Sequence, residues 1–137
     1  MDGGLGLMRG PEVIAFEKRL KELFDTLDLE LEKRWGASYQ LHPSRSSEGT
    51  TANPEDDGLF NIGAGFSAGY GSETGRGYVI EVRMSTLETV PETVRNTILA
   101  YVSTRVDELL EIYFPDKELN VVKDGGLYKI VGDLGLA

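Results

Sequence analysis

Cysteine is absent from all 137 residues, which excludes a disulfide framework, a thiolate nucleophile and a cysteine–zinc site. Histidine occurs once, at His42, too little for an imidazole-based metal centre without other donors. Positive charge is scarce: 14 Lys and Arg stand against 23 Asp and Glu, a net charge of -9. A field of that sign repels nucleic-acid phosphates and anionic lipid, so neither is an expected partner, and basic or neutral surfaces are favoured. No apolar run approaches the roughly 18 residues of a membrane span. The first residues also lack the basic stretch and apolar core of a secretory signal, so the expected compartment is cytoplasmic.

What is present is ordinary for a soluble globular domain, with 40% hydrophobic and 27% charged residues. Its most patterned stretch runs from Leu59 to Met84. Phe60, Ile62, Ala64, Phe66, Ala68 and Tyr70 alternate with Asn61, Gly63, Gly65, Ser67 and Gly69, so one strand face is apolar and the other almost bare. Tyr78, Ile80, Val82 and Met84 alternate in the same way with Gly77, Val79, Glu81 and Arg83. Closing the hairpin through Gly71–Gly75 pairs Tyr70 with Arg76 and makes Phe66 and Ile80 buried neighbours. The same register puts Gly65 opposite Glu81 and Gly63 opposite Arg83.

Two helices flank this hairpin. Pro11 suits a first helical turn, and Val13, Phe16, Leu20, Leu23, Leu27, Leu31 and Trp35 form a stripe ended by Gly36, read as a left-handed cap. A second helix starts near Thr89, with Thr89 and Glu92 as a capping box. Its stripe is Val94, Ile98, Val102, Val106, Leu109 and Tyr113, and Pro115 stops it. Tyr101, Leu110, Ile112 and Phe114 widen the stripe, which makes this the more buried helix of the two. Ser38 to Leu41 reads as a short strand, and Glu118–Val122 with Leu127–Val131 as a hairpin turning through Asp124-Gly125. That hairpin groups Leu119 and Val121 with Tyr128 and Ile130, leaving Asn120 and Lys129 on the other face. Residues 1 to 10 form an apolar, Gly-rich arm, and 11 to 137 a single domain. A faint echo relates Gly58-Leu59-Phe60-Asn61-Ile62 to Gly126-Leu127-Tyr128-Lys129-Ile130. The expected fold is therefore α+β: an antiparallel sheet of about five strands with both helices on one face, in the order α-β-β-β-α-β-β.

Chemical motifs are few. Gly63-Ala64-Gly65-Phe66-Ser67-Ala68 fits a dinucleotide fingerprint formally, but that motif needs a helix to receive the pyrophosphate, and here the strand pattern continues. Glu55-Asp56-Asp57 lacks the alternating spacing of a calcium loop. No nucleophile elbow or kinase set occurs, so no catalytic residue, metal or cofactor is assigned. The stretch from His42 to Asp57 has no apolar periodicity and is expected to be mobile or held by a few local hydrogen bonds.

Two functional classes follow. The first is a non-enzymatic protein-binding or homo-oligomeric assembly module, its partner a second copy or another protein. In element order, size and acidity the chain resembles the class I chaperones of type III secretion, which bind segments of partner proteins; the resemblance is one of architecture and charge. The second is a small-molecule site or enzyme between the glycine face and the 42–57 loop. Candidate ligand or interface residues are Gly63, Gly65, Gly69, Glu81, Arg83, His42 and Arg45. The lack of a convergent catalytic set favours the first class.

Overall fold

One order of elements, a helix and then two strands, occurs twice along the chain. The computed structural model describes residues 10–134. Among them α1 (Pro11–Trp35), β1 (Phe60–Ser67), β2 (Gly77–Met84), α2 (Glu92–Tyr113), β3 (Leu119–Asp124) and β4 (Leu127–Gly132) follow one another, with a 3-10 turn at Pro54–Asp56. Apart from Gly10, the apolar N-terminal arm lies outside the described residues. The fold is α+β, with one antiparallel sheet in the order β1-β2-β4-β3. It has four strands, not five, because Ser38 to Leu41 forms none. That segment instead runs along the stretch after β2, where the Gln40 N–H reaches the Glu88 carboxylate and the Thr86 hydroxyl donates to the Gln40 carbonyl at 2.6 Å. Two helix–strand–strand units result, although the echo equates the first strand of one unit with the second strand of the other.

The apolar spacing of α1 buries Phe16, Leu20, Leu23, Leu27 and Leu31, joined by Phe24. These pack with Ile98, Val102, Val106, Leu109, Leu110 and Phe114 over Phe60, Ile62, Tyr78, Ile80 and Ile130 of the sheet. Each such side chain contributes about 1.5–3 kcal/mol by leaving water. Phe16 anchors the layer junction, its ring 5.5 Å from that of Tyr78 and 4.8 Å from that of Phe114. The helix with more buried positions is α1, and Ile112 of α2 is exposed. The Thr89–Glu92 box is not formed: Pro91 caps α2, and no side chain bonds the first turn. Gly36 is right-handed, with φ -59°. Glycine is needed there for room, since a Cβ would lie 2.4 Å from the Glu32 carbonyl oxygen.

The long hairpin keeps the expected faces and shifts register by two residues. Phe66 pairs with Tyr78, Ala64 with Ile80, Ile62 with Val82 and Gly63 with Glu81. A two-residue slip preserves which face each side chain occupies, so the alternation is respected. Phe66, however, is 45% exposed and does not lie opposite Ile80. The cause is the loop at 68–76, which leaves the hairpin axis. Ser72 and Thr74 donate hydroxyl hydrogen bonds of 2.6 and 2.7 Å to Asp124. Lys129 donates to the Gly75 carbonyl at 2.7 Å and lies 3.0 Å from Asp124. The two hydroxyls and the Lys129 ammonium draw the Asp124 carboxyl down to about 2. Lys129 does face away from the helices, but this loop covers it to 3% exposure. The last turn uses Gly125 and Gly126, one residue beyond the expected pair, with Asp124 paired to Leu127. Leu119 and Val121 share the helix-side face with Ile130, as the alternation requires.

Candidate functional site

The glycines of β1 leave space that no described residue fills. Among the described residues a Cβ at Gly63 or Gly65 would meet no atom within 4 Å. Gly69 is not part of that floor: it sits in the loop with φ +77°, and its Cβ would lie 2.1 Å from the Gly75 backbone. Glu81 and Arg83 project from the same open face of β2, mostly exposed, with Arg83 Nη2 3.7 Å from Glu81 Oε1. His42 and Arg45 do not join them. The His42 Nδ1 bonds the Ser44 N–H at 3.0 Å and its hydroxyl at 2.8 Å, closing a local turn. The Arg45 guanidinium donates to four carbonyls, those of Gly58, Glu55, Asp57 and Phe60, at 2.5–3.1 Å. The 42–58 loop is thus tied to the start of β1 through an arginine, which local hydrogen bonding alone does not supply.

Beneath that loop lies a group of carboxylates. Glu32 accepts the Phe60 N–H at 2.7 Å, with Gly58 at φ +71° leaving room for its carboxylate. Asp57 is buried and accepts from the Thr51 N–H at 2.9 Å and hydroxyl at 2.7 Å. Burial raises the Asp57 carboxyl, and the Thr51 bonds outweigh this and hold it below its usual range. Asp28 is 1% exposed, and among the described residues neither of its oxygens has a hydrogen-bond partner. Burial pushes its carboxyl up to about 8; Glu32, Asp25 and Asp57 add to the rise and Arg45 opposes it. No three acidic or histidine side chains among the described residues stand close enough to hold a metal ion. Asp28 was readable as unusual, since it lies four residues after Phe24 and three before Leu31, inside the apolar stripe.

The free polar groups lie on strand edges. The N–H of Phe60 goes to Glu32 and its carbonyl to Arg45, so both point away from β2. Backbone direction alternates along a strand, so the N–H and C=O groups of Ile62, Ala64 and Phe66 point outward as well. β1 is the terminal strand of the sheet, and among the described residues these three have no partner. Beside this edge a groove of about 400 Å³ runs under α1, floored by Leu20, Phe24, Ile62 and Phe66. Glu17, Lys21, Asp25 and Glu55 rim it, and Lys21 bridges Asp25 at 2.9 Å and Glu55 at 3.4 Å. A second groove of about 350 Å³ separates β2 from α2. It exists because β4 pairs with β2 only at Tyr78 and Val79, while β2 continues to Met84. Neither groove is lined by His42 or Arg45.

A protein family described as "Uncharacterised protein" matches residues 11–132. An "Uncharacterized protein" of Borreliella burgdorferi is 39% identical over 117 residues, covering 85% of this chain and 91% of that protein. No solved structure matches the chain. No helix among the described residues is long and apolar enough to cross a membrane.

Proposed function

The chain belongs to that uncharacterised family, and from this premise we propose that it is a non-enzymatic assembly module that pairs with a second copy through the edge of β1. One observation carries the reading. The sequence of β1, FNIGAGFS, holds no charged residue and no proline, although it is the outermost strand. Edge strands are normally guarded by such residues, and an unguarded edge is a template for pairing. Antiparallel pairing about a two-fold axis at Ala64 would set Ile62 opposite Phe66 of the partner subunit. It would satisfy the three outward N–H and C=O pairs on each side with about six hydrogen bonds. The half-exposed ring of Phe66 would be covered at the same time. The neighbouring acids do not oppose this, since Lys21 already pairs with Asp25 and Glu55, and Glu17 accepts the Tyr78 hydroxyl at 2.7 Å.

The test is Ala64→Pro. Proline is tolerated on an edge strand where the lost N–H faces solvent, so β1 and β2 should stay paired while the outer edge is blocked. Light scattering should give a dimer for the unmodified chain and the 15.0 kDa monomer for Ala64→Pro, with unchanged circular dichroism. Gly65→Val, which has open space on the bare face, should leave both mass and stability as they were. A monomer mass for the unmodified chain up to millimolar concentration would refute self-pairing.

A further inference from the structure

The same sheet has a second unfilled strand edge, in its interior. β2 is paired with β1 along its whole length but with β4 only at Tyr78 and Val79. The hairpin turn at Gly125-Gly126 takes β4 away, and β2 runs on past it toward Met84. Met84 stands opposite Phe60, and Val82 opposite Ile62. Since Phe60 turns its N–H and C=O away from β2, these are non-hydrogen-bonded pairs, and Val82 and Met84 turn theirs away from β1. Among the described residues nothing accepts or donates to them. Ile98 and Leu99 of α2 and Leu127 at the hairpin tip supply the apolar walls beside them. Leu127 is 53% exposed.

The charge of this cleft is opposite to that of the chain. Arg83 and Arg95 border it with one acid, Glu81, in a protein of net charge -9. Glu81 takes Arg83 at 3.7 Å, and the Arg95 guanidinium has no ion pair among the described residues. The cleft also opens within two turns of the α2 N-terminus, whose partial positive charge adds to the arginines.

We propose that this cleft binds an extended, acid-bearing apolar segment of another protein, which adds as a short strand beside Val82 and Met84. Backbone hydrogen bonds to β2 supply the register, alternate side chains enter between β2 and α2, most of them apolar, and an acidic one at the end of that inward row meets Arg95. Residues of the added strand directly opposite Val82 and Met84 point their side chains into the cleft and their N–H groups at β2. The site stands apart from the β1 edge, so a chain paired through β1 still presents it.

The experiment uses three fluorescent, terminally capped heptapeptides. One alternates valine with serine and carries glutamate in place of its last valine, one carries lysine at that position, and the third is the glutamate peptide N-methylated on its valines. Anisotropy titrations of the full chain at low salt should show the glutamate peptide binding at least about tenfold more tightly than the lysine peptide, a difference of about 1.4 kcal/mol. Salt should narrow that gap. N-methylation should abolish binding, and Arg95→Glu should reverse the charge preference. Ala64→Pro should bind as the unmodified chain does, whatever its mass. Equal affinity for both charges, retained binding by the N-methylated peptide, or no binding at millimolar peptide would overturn the proposal. So would loss of binding in Ala64→Pro with retention in Arg95→Glu, which would place the peptide on β1. A fall in molecular mass on Arg95→Glu would instead identify the occupant as a second copy, and would equally overturn it.

Discussion

Asp28→Asn should raise the free energy of unfolding by about 2–4 kcal/mol at pH 8 and by little near pH 4. The side chain is buried in α1 with neither oxygen bonded among the described residues, and burial among Glu32, Asp25 and Asp57 lifts its carboxyl to about 8 from the usual 3.8. The folded chain therefore holds a proton that the unfolded chain releases near pH 4. For such a group the favourable contribution is complete below the unfolded value and is lost as pH climbs through the folded one. Stability should accordingly fall between about pH 4 and pH 8 and level off above. Asparagine has the same shape and no charge to release, so the slope should flatten. Its amide remains without partners, which is why the expected gain is smaller than removal of the ionisable proton would give alone. Urea unfolding at pH 4, 6 and 8 measures this. A variant less stable than the parent at pH 8 would show that Asp28 is ionised and partnered when folded.

Arg45→Ala should cost about 3–4 kcal/mol, because four carbonyls of the 55–60 segment lose a shared charged donor at once. Arg45→Lys should recover only part of this, since an ammonium cannot spread planar N–H groups over acceptors from Glu55 to Phe60. Amide exchange should report where the loss falls. Residues 46–58 should exchange faster in both variants, while β2 and α2 keep their protection. Removing the charge also removes a neighbour that lowers the Asp28 carboxyl, so the pH at which stability levels off should move upward. If the 46–58 amides kept their protection in Arg45→Ala, the loop would be held by its other bonds, such as Gly58 N–H to Ser46 at 2.9 Å.

Much of the architecture followed from period and punctuation. The spacing from Phe16 to Leu31 and from Ile98 to Leu109 marks the buried faces of both helices, because a helical stripe is a property of neighbouring residues alone. The parity of β1 and β2 was equally legible, and a register error of two residues left every face intact. The candidate site was less so. Gly63, Gly65, Glu81 and Arg83 do lie on one open face, but the reactive neighbourhood imagined around His42 and Arg45 does not form, since local and carbonyl hydrogen bonds occupy both side chains.

Which face of each strand and helix turns inward was legible in the chain alone, because alternation and 3.6-residue spacing are local and need no partner to be expressed. How far each side chain is covered, as at Phe66 and Ile112, depends on distant segments meeting. Ser72 and Thr74 find Asp124 some fifty residues away, and this pulls the loop off the hairpin axis and shifts its register. Arg45 finds the start of β1, which turns an irregular stretch into an anchored loop. The early departure of β4 leaves Val82 and Met84 without a strand on the side away from β1 among the described residues. Free edges of this kind arise from where strands end relative to one another, and no residue of β2 announces it.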